Sequence, residues 1–150
     1  MEGAFKYLIQ NGQCSLSEHP YTSFKDNSGT CKSCTKVANF YSCYNVKPND
    51  QIVLKIAVAQ QPISTAIEAD TRYFQSYTGG IIDSPTCGTT LVHGVLIVGY
   101  GEENGIKYWL LKNSWSQTWV NKCILEFVVL LWVQVLSTLM KILLYCNILV

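Results

Sequence analysis

His93 and Asn113 are the two side chains whose types and spacing point most directly to chemistry. An imidazole can exchange protons near neutral pH, and a hydrogen bond to one ring nitrogen fixes its tautomer and orientation. Both residues lie beside a predicted β-hairpin, in which Val95–Val98 and Tyr108–Leu111 flank the turn signal Asn104-Gly105. A hairpin of this kind would bring the histidine and the asparagine from distant positions to the same place.

The register of that hairpin decides whether the two side chains meet. Directly opposite residues of an antiparallel pair share a face, with Cβ atoms about 4.5–5.5 Å apart. A hairpin centred on Glu103 places His93 opposite Asn113, within hydrogen-bonding range. A two-residue turn at Asn104-Gly105 would instead place His93 opposite Ser116, and a three-residue loop or a β-bulge would restore the first pairing.

Composition narrows the class of protein. The chain has 150 residues with 11 basic and 10 acidic side chains, so it lacks the electrostatic footprint of a nucleic-acid-binding protein. Seven cysteines favour a compartment in which disulfides persist, and their odd number requires at least one thiol that is free or paired outside the chain. No charged leader with a short apolar run precedes the domain, so we expect no signal peptide in this chain.

Regular elements upstream would support the hairpin. Apolar residues at helical spacing predict a helix over Met1–Asn11, which Gly12 ends in a left-handed cap. The segment Val37–Val46 alternates loosely and is predicted to be a strand. We interpret these elements as structural support for the hairpin.

A second helix is predicted over Gln51–Gln60, with Asn49 or Asp50 as its N-cap. Its apolar stripe is expected to pack into the core rather than to bind a partner. The stripe comprises Ile52, Val53, Ile56 and Ala57. After the helix, Ile63–Ala69 alternates as a half-buried strand. One face of that strand carries Ile63, Thr65 and Ile67.

Three stretches, in this order, resemble the C-terminal half of papain-family cysteine proteases, which are cathepsin-like thiol endopeptidases. They are Leu91–Val95, Val98–Gly101, and Lys112–Trp115 followed by Trp119. The resemblance extends over residues 1–119. It implies an α+β, papain-like fold that is incomplete here: the remainder of a helical lobe, to about Asn45, and most of an antiparallel, barrel-like sheet lobe.

By this resemblance, the site residues take definite roles in peptide hydrolysis. His93 would be the general acid and base that serves a cysteine thiolate, and Asn113 would accept a hydrogen bond from its ring. Trp115 and Trp119 would shield that bond from water. The pocket for a bulky apolar substrate side chain would be lined by Ala66, Leu91, Val92 and Gly94.

The nucleophile of such an enzyme is missing from the sequence. No Cys-Gly-Ser/Ala-Cys-Trp/Tyr string precedes His93, and none of the seven cysteines has that context. The resemblance implies that the chain begins in mid-domain, and that the disulfide partners of Cys31 and Cys87 lie outside it or near the family's C-terminus. We therefore predict that this chain alone is inactive as a thiol protease.

The tail after Trp119 departs from the family. Residues 127–140 carry no charge over 14 positions, short of the roughly 18–20 that span a bilayer as a helix, and an extension to Val150 includes Lys141. We favour a tail, residues 120–150, that is foreign to the fold through a frameshift, a retained intron or a faulty gene model. The alternative is a terminal anchor, with membrane contact only through residues 124–150.

Other functions are less favoured. Cys31 and Cys34 form a Cys-x-x-Cys, but only Cys43 could join them as a ligand and no suitable fourth follows, so we expect no metal and no cofactor. The expected partner is a peptide or protein substrate, bound by a monomer in a lysosomal, vacuolar or secreted setting by resemblance. The alternatives are a non-catalytic relative that binds peptides and a membrane-anchored Cys-rich protein.

Overall fold

The structure is a computed structural model that describes residues 1–23, 28–84, 90–115, 127–131 and 144–149 of the chain. It divides into two compact units. The first comprises Met1–Tyr44 with Cys146–Val150, and the second comprises Asn45–Tyr145. The boundary at Asn45 coincides with the point at which the sequence predicts the change from one lobe to the other.

The first unit contains helix α1 (Glu2–Asn11) and strands β1 (Gln13–Cys14) and β2 (Lys36–Asn45). The helix predicted at the N-terminus is confirmed, and Gly12 ends it while its N–H donates to the Leu8 carbonyl at 2.7 Å. The left-handed cap predicted for Gly12 is wrong, because its φ of +69° is combined with a ψ of −177°. That positive φ favours glycine because a Cβ would be strained there.

A disulfide joins the two strand-bearing segments of this unit. Cys14 at the end of β1 is bonded to Cys34, which lies just before β2, and β1 pairs antiparallel with β2. The carboxylate of Glu18 also accepts a hydrogen bond from the Thr35 N–H at 2.7 Å. None of the described apolar side chains of Met1–Tyr44 is buried, so these links contribute to holding this part of the chain together.

The second unit holds the remaining elements. Its helices are α2 (Gln51–Gln60) and α3 (Arg72–Gln75), and its strands are β3 (Ile63–Ile67), β4 (Ile81–Ile82), β5 (His93–Glu103), β6 (Ile106–Lys112) and β7 (Phe127–Leu131). The strand order is β3-β5-β6-β7-β4. The β3–β5, β5–β6 and β6–β7 pairs are antiparallel, and β4–β7 is parallel. Leu144, the first residue of β8 (Leu144–Leu149), pairs with Ser64 at the other side of β3.

The core of the second unit lies between α2 and the inward face of the sheet. Strand β3 buries alternate residues as predicted, and Trp109 is fully buried. Among the described residues, the other large, fully buried side chains are Leu54, Ile63, Thr65, Ile67, Ile97 and Leu111. The fold class is α+β, in agreement with the sequence.

The apolar stripe predicted for α2 is wrong. The helix buries Leu54 and Val58, whereas Ile52 is 73% and Ile56 is 56% exposed. Apolar residues occupy nearly every side of this helix, so periodicity alone does not choose a face, and packing against the sheet selects the i, i+4 pair. Of the predicted stripe, only Ala57 packs against the core.

The apolar tail contributes two of the described strands. Residues 127–131 form β7, and residues 144–149 form β8. Within the described ranges, none of the helices combines the length and apolar character required to cross a membrane. The proposed change of origin after residue 119 stays a prediction.

Candidate active site

The predicted hairpin is present and is formed by β5 and β6. Asn104 and Gly105 connect the two strands with φ values of +52° and +79°. Positive φ at both central residues is the condition for the tight turn that matches the twist of paired strands. Local turn chemistry therefore sets the hairpin, as the sequence indicates.

Near the turn the register is that of the predicted two-residue turn, but beyond Gly99 it differs from both predicted alternatives. Glu103 pairs with Ile106 at the turn, but a bulge between Ile97 and Gly99 shifts the ladder, which ends at Leu96 opposite Lys112. Carried on at that offset, the ladder would set Val95, not His93, across from Asn113. His93 and Asn113 are thus diagonal neighbours on one face, a spacing that longer side chains can still bridge.

The two side chains make the predicted contact despite this shift. His93 Nε2 lies 2.7 Å from Asn113 Oδ1. The same oxygen accepts the backbone N–H of Ser114 at 2.8 Å, and a backbone N–H can only donate. Asn113 Oδ1 is therefore the acceptor in both contacts, so Nε2 of His93 carries the proton and donates it. In the neutral ring this leaves Nδ1 with the lone pair.

Burial holds this pair in place. Asn113 is 3% exposed, and its Nδ2 has no hydrogen-bond partner among the described residues. His93 is half-buried, at the first position of β5, where it pairs with Ile67 of β3. Because Asn113 cannot turn without losing two hydrogen bonds, its amide is a fixed orienting group for the ring.

Two aromatic rings pack beside the pair. The ring centroid of Trp115 is 5.1 Å from that of His93, with an interplanar angle of 35°. Phe74 of α3 contacts Trp115 edge-on, with centroids 5.3 Å apart at 89°. This stack limits the motion of the imidazole and covers one side of it.

The predicted pocket residues come together on neighbouring strands. Ala66 of β3 pairs with Gly94 of β5, the residue after His93. Leu91 and Val92 lead into β5, and Val92 is 56% exposed. Ala66 and Gly94 are small residues at a cross-strand pair, and Val92 precedes His93 in the chain; that these residues line a substrate pocket stays a prediction.

The remaining predicted residues fall outside this assembly. Cys31 is an exposed free thiol. Its Cys-x-x-Cys neighbour Cys34 is bonded to Cys14, a disulfide that is not among those predicted from the sequence. Among the described residues, no group of three or more possible metal ligands occurs. Trp119 and Cys87 lie outside the described residues.

Three contributors were missed from the sequence. The Ser114 N–H fixes the amide orientation, Phe74 supports Trp115, and the Glu68 carboxylate accepts a hydrogen bond from the Thr90 N–H. Contacts of the last two kinds depend on tertiary structure. The first could have been suspected, because an asparagine side chain readily accepts from a nearby backbone N–H.

Sequence comparison places these features in a known context. The family described as papain family cysteine protease matches residues 1–129. The probable cysteine protease RD21C of Arabidopsis thaliana is 46% identical over 121 residues, which make up 79% of this chain and 26% of that protein. A senescence-specific cysteine protease, SAG39 of Oryza sativa subsp. indica, is 43% identical over 122 residues, 79% of this chain and 35% of its own. The chain thus spans about a quarter to a third of these relatives.

Solved structures of cysteine proteases share the fold of this chain. The bromelain protease from Ananas comosus superposes with a TM-score of 0.82 at 32% identity, over 96% of this chain and 67% of its own. Digestive procathepsin L2 proteinase from Tenebrio molitor superposes with a TM-score of 0.83 at 32% identity, over 96% and 45% respectively. The chain belongs to the papain family of cysteine proteases, and its α+β structure is part of the papain fold.

Proposed function

We propose that this chain carries the acid–base half of a papain-type cysteine endopeptidase, with His93 as the proton carrier and Asn113 as its orienting residue. The observation that supports this most directly is the bond of 2.7 Å between Nε2 and Oδ1. Because the Nε2–H of His93 donates to Asn113 Oδ1, Nδ1 is the nitrogen available for proton exchange. A half-buried imidazole with one nitrogen fixed, and with no hydrogen bond from the other to any described residue, suits acid–base work.

In the proposed reaction, the imidazole takes the proton of a cysteine thiol through Nδ1 and so keeps the sulfur as a thiolate. The thiolate attacks the peptide carbonyl, and the imidazolium then protonates the leaving amine. The ring next activates a water that hydrolyses the acyl-enzyme. A neutral asparagine suffices as the orienting group, because the thiolate already balances the charge of the imidazolium.

The thiol for this reaction would come from outside these 150 residues. The family's cysteine signature does not occur before His93. A hydrogen-bond donor to the oxyanion would also have to come from outside the chain, and the loss of one such donor lowers the rate by about 10²–10³. We therefore propose that the chain by itself is inactive as a thiol protease.

The proposed substrate is a peptide with a bulky apolar side chain. Ala66 and Gly94 pair across β3 and β5, and their small size would leave room for it. Leu91 and Val92 would form the wall beside the imidazole. An internal disulfide between Cys14 and Cys34 suits an oxidising or lysosomal, vacuolar or secreted setting. We propose that the chain works as a monomer.

Complementation tests the proposal. The chain is co-refolded with a separate polypeptide that carries the Cys-Gly-Ser-Cys-Trp signature, and hydrolysis of a fluorogenic dipeptide is measured. We expect turnover by the mixture, none by either part, and loss of turnover in His93→Ala and with an epoxide that traps thiols. Lys107→Ala, at the far end of the hairpin, is the matched control and should retain activity.

Two results would contradict the proposal. Turnover by the chain alone that disappears in His93→Ala would show that the nucleophile is internal. Undiminished turnover by the complemented His93→Ala variant would remove the histidine from the reaction. Peptide binding by the chain without turnover in any mixture would favour the alternative, a non-catalytic relative that binds peptides.

A further inference from the structure

The start of β5 is tied to the end of β3 by two hydrogen bonds from consecutive residues. The carbonyl of Ile67, the last residue of β3, accepts the Val92 N–H at 3.1 Å. The carboxylate of Glu68, the next residue, accepts the Thr90 N–H through Oε2. Only the first of these continues the backbone ladder, since Ile67 also pairs with His93.

The Glu68 contact reaches beyond the paired strands. Thr90 is exposed and lies three positions before His93, outside β5 itself. Its N–H donates a hydrogen bond to the side chain of Glu68, a residue 22 positions away in the sequence. The two hydrogen bonds therefore hold both ends of the segment Thr90–Val92 against the same edge.

The held segment leads directly into the imidazole-bearing residue. His93 is the first residue of β5, so its backbone has strand neighbours on only one side along the chain. A slip or fraying at a strand end redirects the side chains there. Holding Thr90 and Val92 fixes the direction in which the chain enters His93, and the ring must then reach Asn113 Oδ1 by a diagonal contact that tolerates little displacement.

We propose that Glu68 is a positioning residue for His93, acting through the Thr90 N–H to fix how the strand begins and hence how the imidazole meets Asn113. The proposal rests on the function proposed above for His93. The Glu68 carboxylate contacts the Thr90 N–H and not the His93 ring, so its proposed role is indirect. A carboxylate suits this task because a charge-assisted hydrogen bond to a backbone N–H is stronger than a neutral one.

The test uses the full chain and NMR spectroscopy with two readouts. The first is the hydrogen exchange rate of the Thr90 amide, which reports whether its hydrogen bond to Glu68 is formed. The second is the ¹⁵N spectrum of the His93 ring, which reports the fraction with the proton on Nε2. The variants are Glu68→Ala, which removes the acceptor, and Glu68→Gln, which keeps an acceptor oxygen without the charge.

In Glu68→Ala we expect Thr90 exchange to rise roughly 10- to 100-fold, together with a loss of the Nε2–H form of His93 in favour of a mixture of tautomers. Glu68→Gln should restore most of the Nε2–H form and give an intermediate exchange rate. If Glu68→Ala does not fold, Glu68→Asp carries the same test, because it keeps the charge but withdraws the oxygens by one methylene.

Glu102→Ala is the matched control, since Glu102 is an exposed carboxylate at the other end of β5, opposite Lys107. It should change neither readout. Unchanged Thr90 exchange in Glu68→Ala overturns the proposal. Faster exchange with an unaltered His93 ring also overturns it, because Glu68 would then only secure the loop. A wild-type ring that lacks the Nε2–H form would instead count against the proposed role of His93.

Discussion

Asn113 Oδ1 accepts two hydrogen bonds at once, and the second of them constrains the histidine beside it. The Ser114 N–H secures the amide from the backbone side, while the His93 ring occupies the other lone pair. Since the amide is buried, rotation would place its NH₂ group against two donors. The fixed orientation of the Asn113 amide therefore determines which tautomer the neutral His93 ring adopts.

Replacing that asparagine should release the tautomer. In Asn113→Ala, His93 Nε2 loses its acceptor, so we expect the neutral ring to populate both tautomers instead of the Nε2–H form. The ¹⁵N spectrum of the ring at high pH measures this directly. Lys112→Ala, one residue earlier and exposed, should leave the spectrum unchanged. A single Nε2–H form that persists in Asn113→Ala would mean that another group orients the ring.

A second residue-scale prediction concerns Thr65. Its side chain is 0% exposed, and Oγ1 has no hydrogen-bond partner among the described residues. A buried, unsatisfied hydroxyl costs about 1–3 kcal/mol, so Thr65→Val should raise the free energy of unfolding by about 1 kcal/mol. Urea unfolding measures the difference. Thr78→Val, at an exposed position, should change stability little, and a destabilised Thr65→Val would reveal a partner for the hydroxyl.

At the scale of elements, the hairpin depends on its turn. Gly105 has φ +79°, and a Cβ at this position would meet no atom within 4 Å. Any cost of Gly105→Ala therefore comes from the backbone conformation and not from a clash. We expect Gly105→Ala to destabilise the chain by about 1–2 kcal/mol, the penalty of a left-handed conformation for an L-residue.

Gly99→Ala is the control for that prediction. It lies in the same hairpin, and its Cβ would sit 3.8 Å from the Leu110 side chain, an ordinary contact. Thermal unfolding compares the two variants. A larger loss in Gly99→Ala than in Gly105→Ala would mean that the bulge, and not the turn, governs the hairpin.

Helix α2 offers a pH-dependent test. The Asp50 carboxylate accepts the Val53 N–H at 3.1 Å and contacts Lys47 Nζ at 3.2 Å. These contacts, the backbone hydrogen bond first, lower the pKa of Asp50 below its ordinary value. Because the folded pKa is lower than the unfolded one, the stabilisation is present above the unfolded pKa and is lost as pH falls through the folded value.

The difference in melting temperature between wild type and Asp50→Ala should therefore shrink as pH is lowered through the acidic range below about 4. Asp50→Asn retains a capping oxygen but not the charge, so at neutral pH it should melt between Asp50→Ala and wild type and show no such titration. A difference between wild type and Asp50→Ala that is constant down to acid pH would show that the cap charge plays no part.

Features that depend on residues close together in the sequence could be predicted, whereas features that depend on contacts between distant residues could not. The turn at Asn104-Gly105 and the alternation of β3 depend on neighbouring residues, and both are confirmed. The bulge near Val98 and the buried face of α2 depend on packing against other strands, which a single sequence does not record. The meeting of His93 and Asn113 was predicted, but through the wrong register.

At the scale of the molecule, the two units are stabilised in different ways. The second has a continuous core that includes Leu54, Ile97 and Trp109, each 0% exposed. The first buries none of its described apolar side chains in residues 1–44. A segment of that size without a core usually needs a covalent link. Its Cys14–Cys34 disulfide closes a loop with a sequence separation of 20.

We therefore predict that this disulfide supports the order of the first unit and not that of the second. In a Cys14→Ser, Cys34→Ser variant, the loss of about 3 kcal/mol expected for a loop of this size should lower hydrogen exchange protection in α1 and β2. Protection of Ile97 and Trp109 should persist, because their burial lies within the second unit. Cys31→Ser, which removes an exposed free thiol, should leave both patterns intact. If protection vanished from both units together, the chain would unfold as one cooperative body, and the second unit's core would not be sufficient by itself.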